Sequence, residues 1–384
     1  MVRRQRRRRP RQPARHITAA RTASAPPTRM ECDPPMGLNA TGTGRNASQH
    51  PAPLPAAPSV DPRVRIVVIG HVTTDVIVLP HGDVTQGDDN EARIRISPGG
   101  QAANTAAWLA WQSAPVTLVT SVGDDPEGHA RITELSESGV DCAARRCHGA
   151  ATGSVVVIAD AHNRTMMSQR GANVRLTPRD IDTALATRPD TGHIHLSAYV
   201  LLDTESRPAG LRALTVARER RLSISIDAAS AGLLHQAGPA RCREWMRGID
   251  VLIANAEEAC ALTGSTNDEL AARGLTATAT HVVVKRGSHG ALWARRDGPD
   301  IDVPAHPAVA IDSTGAGDAF AAGLLTGFTA GSDPRTTLRQ AAALGAAAVS
   351  TIGARPRTLS PTAPHPAAPS SARAILPHRG GPHA

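Results

Sequence analysis

The stretch Ile311-Asp312-Ser313-Thr314-Gly315-Ala316-Gly317-Asp318-Ala319-Phe320-Ala321-Ala322-Gly323 sets the reading of the chain. A polar turn holding Gly315 and Gly317 runs into an apolar segment of helical character. Glycines before a helix let successive backbone N–H groups turn toward one point, and the helix N-terminus adds the positive end of its dipole. The product is a cup for an anion, and phosphate suits it. An aspartate at the rim, Asp318, would repel that anion. Its carboxylate is better placed to take a proton from an attacking hydroxyl. The plain alternative is a capped helix start, since Ser and Asp are common N-caps.

A second, distant stretch gives the first its weight. Pro98-Gly99-Gly100-Gln101-Ala102-Ala103-Asn104 is followed by Val119-Thr120-Ser121-Val122-Gly123-Asp124-Asp125-Pro126-Glu127-Gly128. Together the two resemble the paired signatures of the ribokinase-like carbohydrate kinases, the PfkB family. The second signature, D-T-x-G-A-G-D, stands here as Asp312–Asp318 with Ser313 in place of its first threonine. The resemblance runs from about Arg63 to Arg355. It implies a three-layer α/β/α fold with a central, mostly parallel sheet and a small β-sheet lid. It also implies phosphoryl transfer from ATP, with Asp318 as base and Gly315, Ala316 and Gly317 around the transferred group.

Upstream, Arg65–Gly70 is apolar throughout and ends in glycine, the pattern of a strand buried on both faces. The G-x-G-x-x-G of a dinucleotide-binding turn does not follow it. Instead comes His71-Val72-Thr73-Thr74-Asp75, where the family places a carboxylate that grips sugar hydroxyls, so Asp75 takes that role by resemblance. Val76–Leu79 and Ala92–Ile96 read as short strands, and Gly153–Ala159 with Arg164–Ser168 as a hairpin across Asp160–Asn163. By resemblance both pairs build the lid. Gly99 and Gly100 leave bare backbone under a sugar ring, and Asn104 offers donors and an acceptor to hydroxyls. A turn residue at Asp75 and a helix-start cap at Asn104 are the structural alternatives.

Further strands at His193–Leu196, Leu222–Asp227, Val251–Asn255 and His281–Val284, with helices between, argue for a parallel sheet. His193 and His195 have no evident third ligand and read as structural. Asn255-Ala256-Glu257-Glu258 matches the family's N-x-x-E, which implies Asn255 beside the nucleotide and Glu258 near Mg²⁺; a helix-capping acid is the alternative. Lys285-Arg286-Gly287-Ser288-His289-Gly290 resembles the nucleotide-side turn. Lys285, the only lysine in the chain, then faces ATP phosphates, and Gly287 and Gly290 let the turn approach. Asp312 shapes the anion loop, and in relatives that position lies beside a K⁺ site. Leu338–Ser350 is Ala-rich and should pack on the Asp318 helix.

Composition bounds the remainder. Eleven arginines against three acidic residues in positions 1–61 account for the whole net charge of +8, so the rest of the chain is balanced. Positions 1–61, rich in Arg and Pro, and 356–384, rich in Pro, Ser and His, cannot bury enough apolar surface and are expected to be disordered. Positions 62–355 form the kinase domain, with lid strands within about 76–97 and 153–168. Five cysteines without a CxxC pair suggest reduced thiols in a cytoplasmic protein. No apolar run of about 18 residues predicts a membrane span. The expected acceptor is a small free sugar, with a nucleoside as the alternative and few aromatic residues to stack its base. A non-catalytic sugar sensor whose basic arm contacts nucleic acid is a third reading, against which the intact Asp318 turn argues. Dimerisation through the lid is a further implication of the resemblance.

Overall fold

In the computed structural model residues 64–159 and 164–356 are described. The expectations for positions 1–61, for the tail beyond 356 and for the turn Asp160–Asn163 lie outside the described residues. In chain order the elements are β1 (Arg65–Ile69), β2 (Thr73–Pro80), β3 (Ala92–Gly99), α1 (Gln101–Trp111), β4 (Val116–Gly123), α2 (Pro126–Glu137), β5 (Asp141–Cys147), β6 (Gly153–Ala159), β7 (Arg164–Gln169) and α3 (Pro178–Ala186). They continue as β8 (Thr191–Ser197), α4 (Tyr199–Leu202), α5 (Arg207–Arg220), β9 (Ser223–Asp227), α6 (Ala231–Ala237), α7 (Pro239–Trp245), β10 (Ile249–Asn255) and α8 (Ala256–Thr263). The last are α9 (Asp268–Leu275), β11 (Ala279–Lys285), β12 (Ala291–Arg295), β13 (Ile301–Val303), α10 (Ala316–Thr329) and α11 (Pro334–Val349).

Nine strands form one sheet in the order β13-β12-β11-β10-β9-β8-β1-β4-β5. From β11 to β5 all neighbours are parallel, and β12 and β13 close one edge antiparallel. Every residue of β4 is buried, as is all of β1 but Arg65. That is why β1 reads as an apolar run after Arg65, and why the hydroxyl side chains that interrupt β4 are short ones, Thr117, Thr120 and Ser121. Ile181, Leu214, Leu234 and Leu262 from α3, α5, α6 and α8 cover one face. Trp108, Leu135, Leu325 and Leu344 from α1, α2, α10 and α11 cover the other. The α10–α11 contact is close because α10 presents glycine. A Cβ on Gly323 would stand 2.9 Å from Ala341 Cα, and one on Gly327 would stand 2.6 Å from Thr337. The expected packing of the Ala-rich segment on the Asp318 helix is thus realised.

Chain order reverses at β1, which has β4 on one side and β8 on the other. Such a reversal opens a crevice at the carboxyl ends of the strands. Gly70 sits there with no room for a side chain, since a Cβ would lie 2.7 Å from Ala102 Cβ and 2.8 Å from Ser197 Cβ. A separate four-stranded sheet, β3-β2-β6-β7, forms the lid. Its central pair β2 and β6 is parallel, and β3 and β7 flank it antiparallel. The strand β2 begins earlier than the alternation suggested, so Asp75 lies inside it rather than in a turn before it.

The two strand histidines are core residues. His193 Nδ1 lies 2.7 Å from Ser223 Oγ and its Nε2 lies 2.8 Å from Ser225 Oγ. His195 Nδ1 lies 2.8 Å from the same Ser225 Oγ. Burial lowers the two rings to about 3 and about 4, so both are neutral at pH 7. Among the described residues Cys142, Cys147, Cys242 and Cys260 are free thiols. No helix among them is long and apolar enough to cross a membrane.

Candidate active site

The anion turn is built as its residues require. Gly315 takes a left-handed φ of 76°, and a Cβ there would stand 2.4 Å from the Ala354 carbonyl oxygen. No other residue fits both conditions. Asp312 braces the turn from two sides. Its Oδ1 accepts from the Thr314 N–H at 2.9 Å and its Oδ2 from the Gly353 N–H at 3.0 Å. Ala316, Gly317 and Asp318 are the first three residues of α10. The Ala316 N–H makes a long bond to the Ser313 carbonyl at 3.4 Å, and those of Gly317 and Asp318 have no carbonyl within the helix to donate to, which leaves them for an anion.

Asp318 faces across the crevice to α1, where Asn104 Nδ2 donates to its Oδ2 at 2.9 Å. Burial, reinforced by the Asp227 and Asp75 charges, pushes Asp318 to about 7 against the opposing pull of Asn104 and Lys285. A carboxylate poised there takes up a proton readily yet is ionised in a large fraction of molecules at neutral pH. Asp75 Oδ1 accepts from Thr73 Oγ1 at 2.7 Å. Burial raises its pKa, with Thr73 and Arg355 pulling the other way. Gly99 is glycine for a local reason: a Cβ would lie 2.2 Å from the Asp75 carboxylate. Gly100 has φ 97° and abuts the His71 carbonyl, 2.4 Å from where its Cβ would be. Asp75, Gly99, Gly100, Asn104 and Asp318 therefore lie close together. Each end of the Asn104 amide is already bonded once within the protein, which leaves one N–H and one oxygen lone pair for an acceptor hydroxyl. The Asn104 Oδ1 accepts from Arg355 Nε at 3.2 Å.

A cavity of about 630 Å³ is lined by Asn255, Glu257, Lys285, Gly287 and His289, among others. Lys285 Nζ donates to Asp227 Oδ2 at 2.8 Å, and a Cβ on Gly317 would stand 3.3 Å from that nitrogen. The ammonium therefore lies against the anion turn. Burial opposes its charge, but Asp227, Glu258 and Asp318 outweigh burial and raise its pKa. Gly290 is not among the residues lining this cavity. A Cβ on it would stand 2.0 Å from the Val303 carbonyl oxygen, so its part is to let the turn press on β13.

Asn255 and Glu258 bind each other as the N-terminal cap of α8. The Asn255 N–H donates to Glu258 Oε2 at 2.8 Å, and its Nδ2 donates to Oε1 at 2.9 Å. The capping alternative for this motif is thus real. Burial, with Asp227 adding to it, brings Glu258 to about 7 against the opposing Lys285 charge. A cation nearby would restore the carboxylate's charge, so a magnesium ion held through water fits this group. Among the described residues no group of three or more His, Cys, Asp or Glu is spaced to hold a metal directly.

Three participants were not singled out from the sequence. Asp227, at the carboxyl end of β9, accepts from Lys285 on one oxygen and from Gln101 Nε2 at 2.9 Å on the other. Ser197 in turn donates to Gln101 Oε1. Arg355 reaches in from beyond α11. A charged residue closing an apolar parallel strand was a usable signal for Asp227. Gln101 lies inside the first signature without being assigned a role there, and nothing local marked Arg355.

With this geometry in hand, comparison with known proteins is specific. The model of the pfkB family carbohydrate kinases matches residues 64–362. An ATP-dependent ribose-1-phosphate kinase of Halopiger xanaduensis is 32% identical, over 76% of this chain and 94% of its own length. An adenosine kinase of Sinorhizobium meliloti superposes with a TM-score of 0.69 at 22% identity, covering 78% of this chain and 97% of its own. A ribokinase II of E. coli, solved in complex with ATP and Mg²⁺, superposes with a TM-score of 0.67 at 23% identity, covering 76% and 94%. Fold, lid and relatives together define a carbohydrate kinase. Within that class, the chain belongs to the pfkB family of carbohydrate kinases.

Proposed function

We propose that the protein transfers the γ-phosphoryl group of ATP to a hydroxyl of a small sugar, with Asp318 as general base. The observation that carries this is the position of Asp318. Its carboxylate closes an amide-lined turn on one side and is held by Asn104, from the acceptor side, at 2.9 Å. The acceptor lies on Gly99 and Gly100, with its hydroxyls on Asp75 and Asn104. As its oxygen attacks the γ-phosphorus, the hydroxyl proton passes to Asp318. The bond to the β–γ bridging oxygen breaks and ADP leaves. The N–H groups of Gly315, Ala316, Gly317 and Asp318 hold the charge on the transferred oxygens. Asn255, Lys285 and Gly287 contact the nucleotide, with Gly290 supporting their turn. Glu258 would hold, through water, the magnesium that accompanies ATP, and that ion would neutralise phosphate charge. The Asp312 loop would hold a K⁺ ion that activates the enzyme when bound, and replacing K⁺ by tetramethylammonium tests that.

One observation favours a more specific acceptor. The Arg170 guanidinium lies 4.6 Å over the Tyr199 ring, which stacks on His71 at 5.5 Å, beside Gly100. A cation three contacts from the acceptor seat, with Asp203 Oδ2 3.6 Å from its Nε, suits a sugar that already bears phosphate, as the Halopiger relative's name describes. The decisive assay follows ADP release with free sugars, sugar phosphates and nucleosides. Turnover of a sugar or its phosphate is expected, whereas turnover of adenosine alone would reject this reading. Asp318→Asn is expected to lower kcat roughly a hundred- to ten-thousand-fold while ATP still binds. Wild-type rates in that variant would remove Asp318 as the base. We place the enzyme in the cytoplasm and as a dimer through its lid.

A further inference from the structure

We infer that Arg355 is a positioning residue for the phosphoryl-transfer step, acting on Asp318 through the side chain of Asn104. The geometry is a three-membered chain. Arg355 Nε donates to Asn104 Oδ1 at 3.2 Å, and Asn104 Nδ2 donates to Asp318 Oδ2 at 2.9 Å. A carboxamide can present either end to a neighbour. A guanidinium only donates, so Arg355 admits only the oxygen end of Asn104. The NH₂ end is thereby turned to the Asp318 carboxylate. Were the amide free to flip, its oxygen would meet that carboxylate lone pair to lone pair, and the base would lose the donor that favours its ionised form.

Arg355 is itself held so that it can do this. Its Nη2 donates to the Gly99 carbonyl oxygen at 3.2 Å. Its Nη1 lies 3.8 Å from Glu134 Oε2, and its side chain is only 11% exposed. Burial lowers its pKa to about 10, which leaves it charged at neutral pH. One guanidinium fork thus serves the amide of Asn104 and the end of the lid strand β3 together. A lysine ammonium in its place could not match two acceptors with one rigid plane. The backbone beside it is anchored as well. The Ala354 carbonyl accepts from Trp108 Nε1 at 3.0 Å, and Gly353 donates to Asp312. The groups facing Asp318 are Asp75 on β2, Asn104 on α1, Tyr199 opening α4, Asp227 closing β9 and Lys285 closing β11, and the Asn104 oxygen accepts from Arg355.

This inference rests on Asp318 being the base, and the test separates the two. In the full-length protein, kcat is measured from about pH 5.5 to 10 for wild type, Arg355→Met, Arg355→Lys and Asn104→Ala. The expected result for Arg355→Met is a loss in kcat of roughly tenfold or more near pH 6.5 that narrows toward alkaline pH, because the rising limb moves up. KM for ATP should stay within about twofold. In the Asn104→Ala background Arg355→Met should cost less than about twofold more, since its route to Asp318 is already cut. An unmoved limb, or fully additive losses in the double variant, would overturn the inference. If Arg355→Met does not fold, Arg355→Lys carries the same test, with a raised limb in support and a wild-type profile against. Activity retained in Asp318→Asn would instead overturn the proposed base itself.

Discussion

Asp318 works against the stability of the fold that holds it. Its pKa is raised from an ordinary 3.8 to about 7, so folding favours the protonated form. The wild type therefore loses stability as pH rises from about 4 through 7, and above that range it carries the full penalty. Asp318→Asn keeps the shape and removes the charge. It is expected to raise stability at pH 8 by on the order of 2 kcal/mol, discounted for partial solvent access, and to change little at pH 4. Urea melts at the two pH values check this. A larger gain at pH 4 than at pH 8 would contradict it. Gly99→Ala is expected to cost about 2 to 4 kcal/mol or to displace Asp75, raising KM for the acceptor, because its Cβ has no space. Lys285→Met leaves Asp227 buried without its cation. Thermal melts should show it destabilised by roughly 3 kcal/mol or more, with kcat falling in any folded protein. The sequence revealed Asp318 and Gly315 because turn chemistry is local and leaves a motif. Asp227 and Arg355 work through partners far along the chain, and a single sequence does not display such pairings.

Among elements, those with one strong physical cause were legible. Parallel strands buried on both faces gave β1, β10 and β11 as apolar runs, whereas β4, β8 and β9 interleave Thr, Ser or His with their apolar residues. The lid hairpins stood out by their turns. The element β5, reading DCAARRC at the sheet edge with exposed arginines, has no such run, and its parallel partner β4 defines it. The short helices α6 and α7 fall below the length at which helical periodicity can be counted. The lid also carries apolar residues in solvent: Ile94 and Ile96 on one face of β3 are 63% and 73% exposed, and Met166 on β7 is 54% exposed. If the lid is the dimer surface, Ile96→Glu should shift the mass measured by light scattering from dimer to monomer. An unchanged dimer would place the interface elsewhere.

For the molecule as a whole, the charge and the chemistry are separable. The positive excess sits in positions 1–61, and the balanced remainder holds the cleft. Removal of residues 1–60 is expected to leave kcat and both KM values within about twofold, measured by ADP release; a folded truncation without turnover would tie the arm to catalysis. The cleft itself draws on both ends of the domain. Asp75, Gly99 and Asn104 come early. The Asp318 turn comes late, and Gly353, Ala354 and Arg355 then close upon it. A ribosome making this protein therefore finishes the sugar seat long before it supplies the parts that hold the phosphoryl group. A nascent or prematurely ended chain that stops short of Arg355 could fold much of its sheet, yet it should not spend ATP.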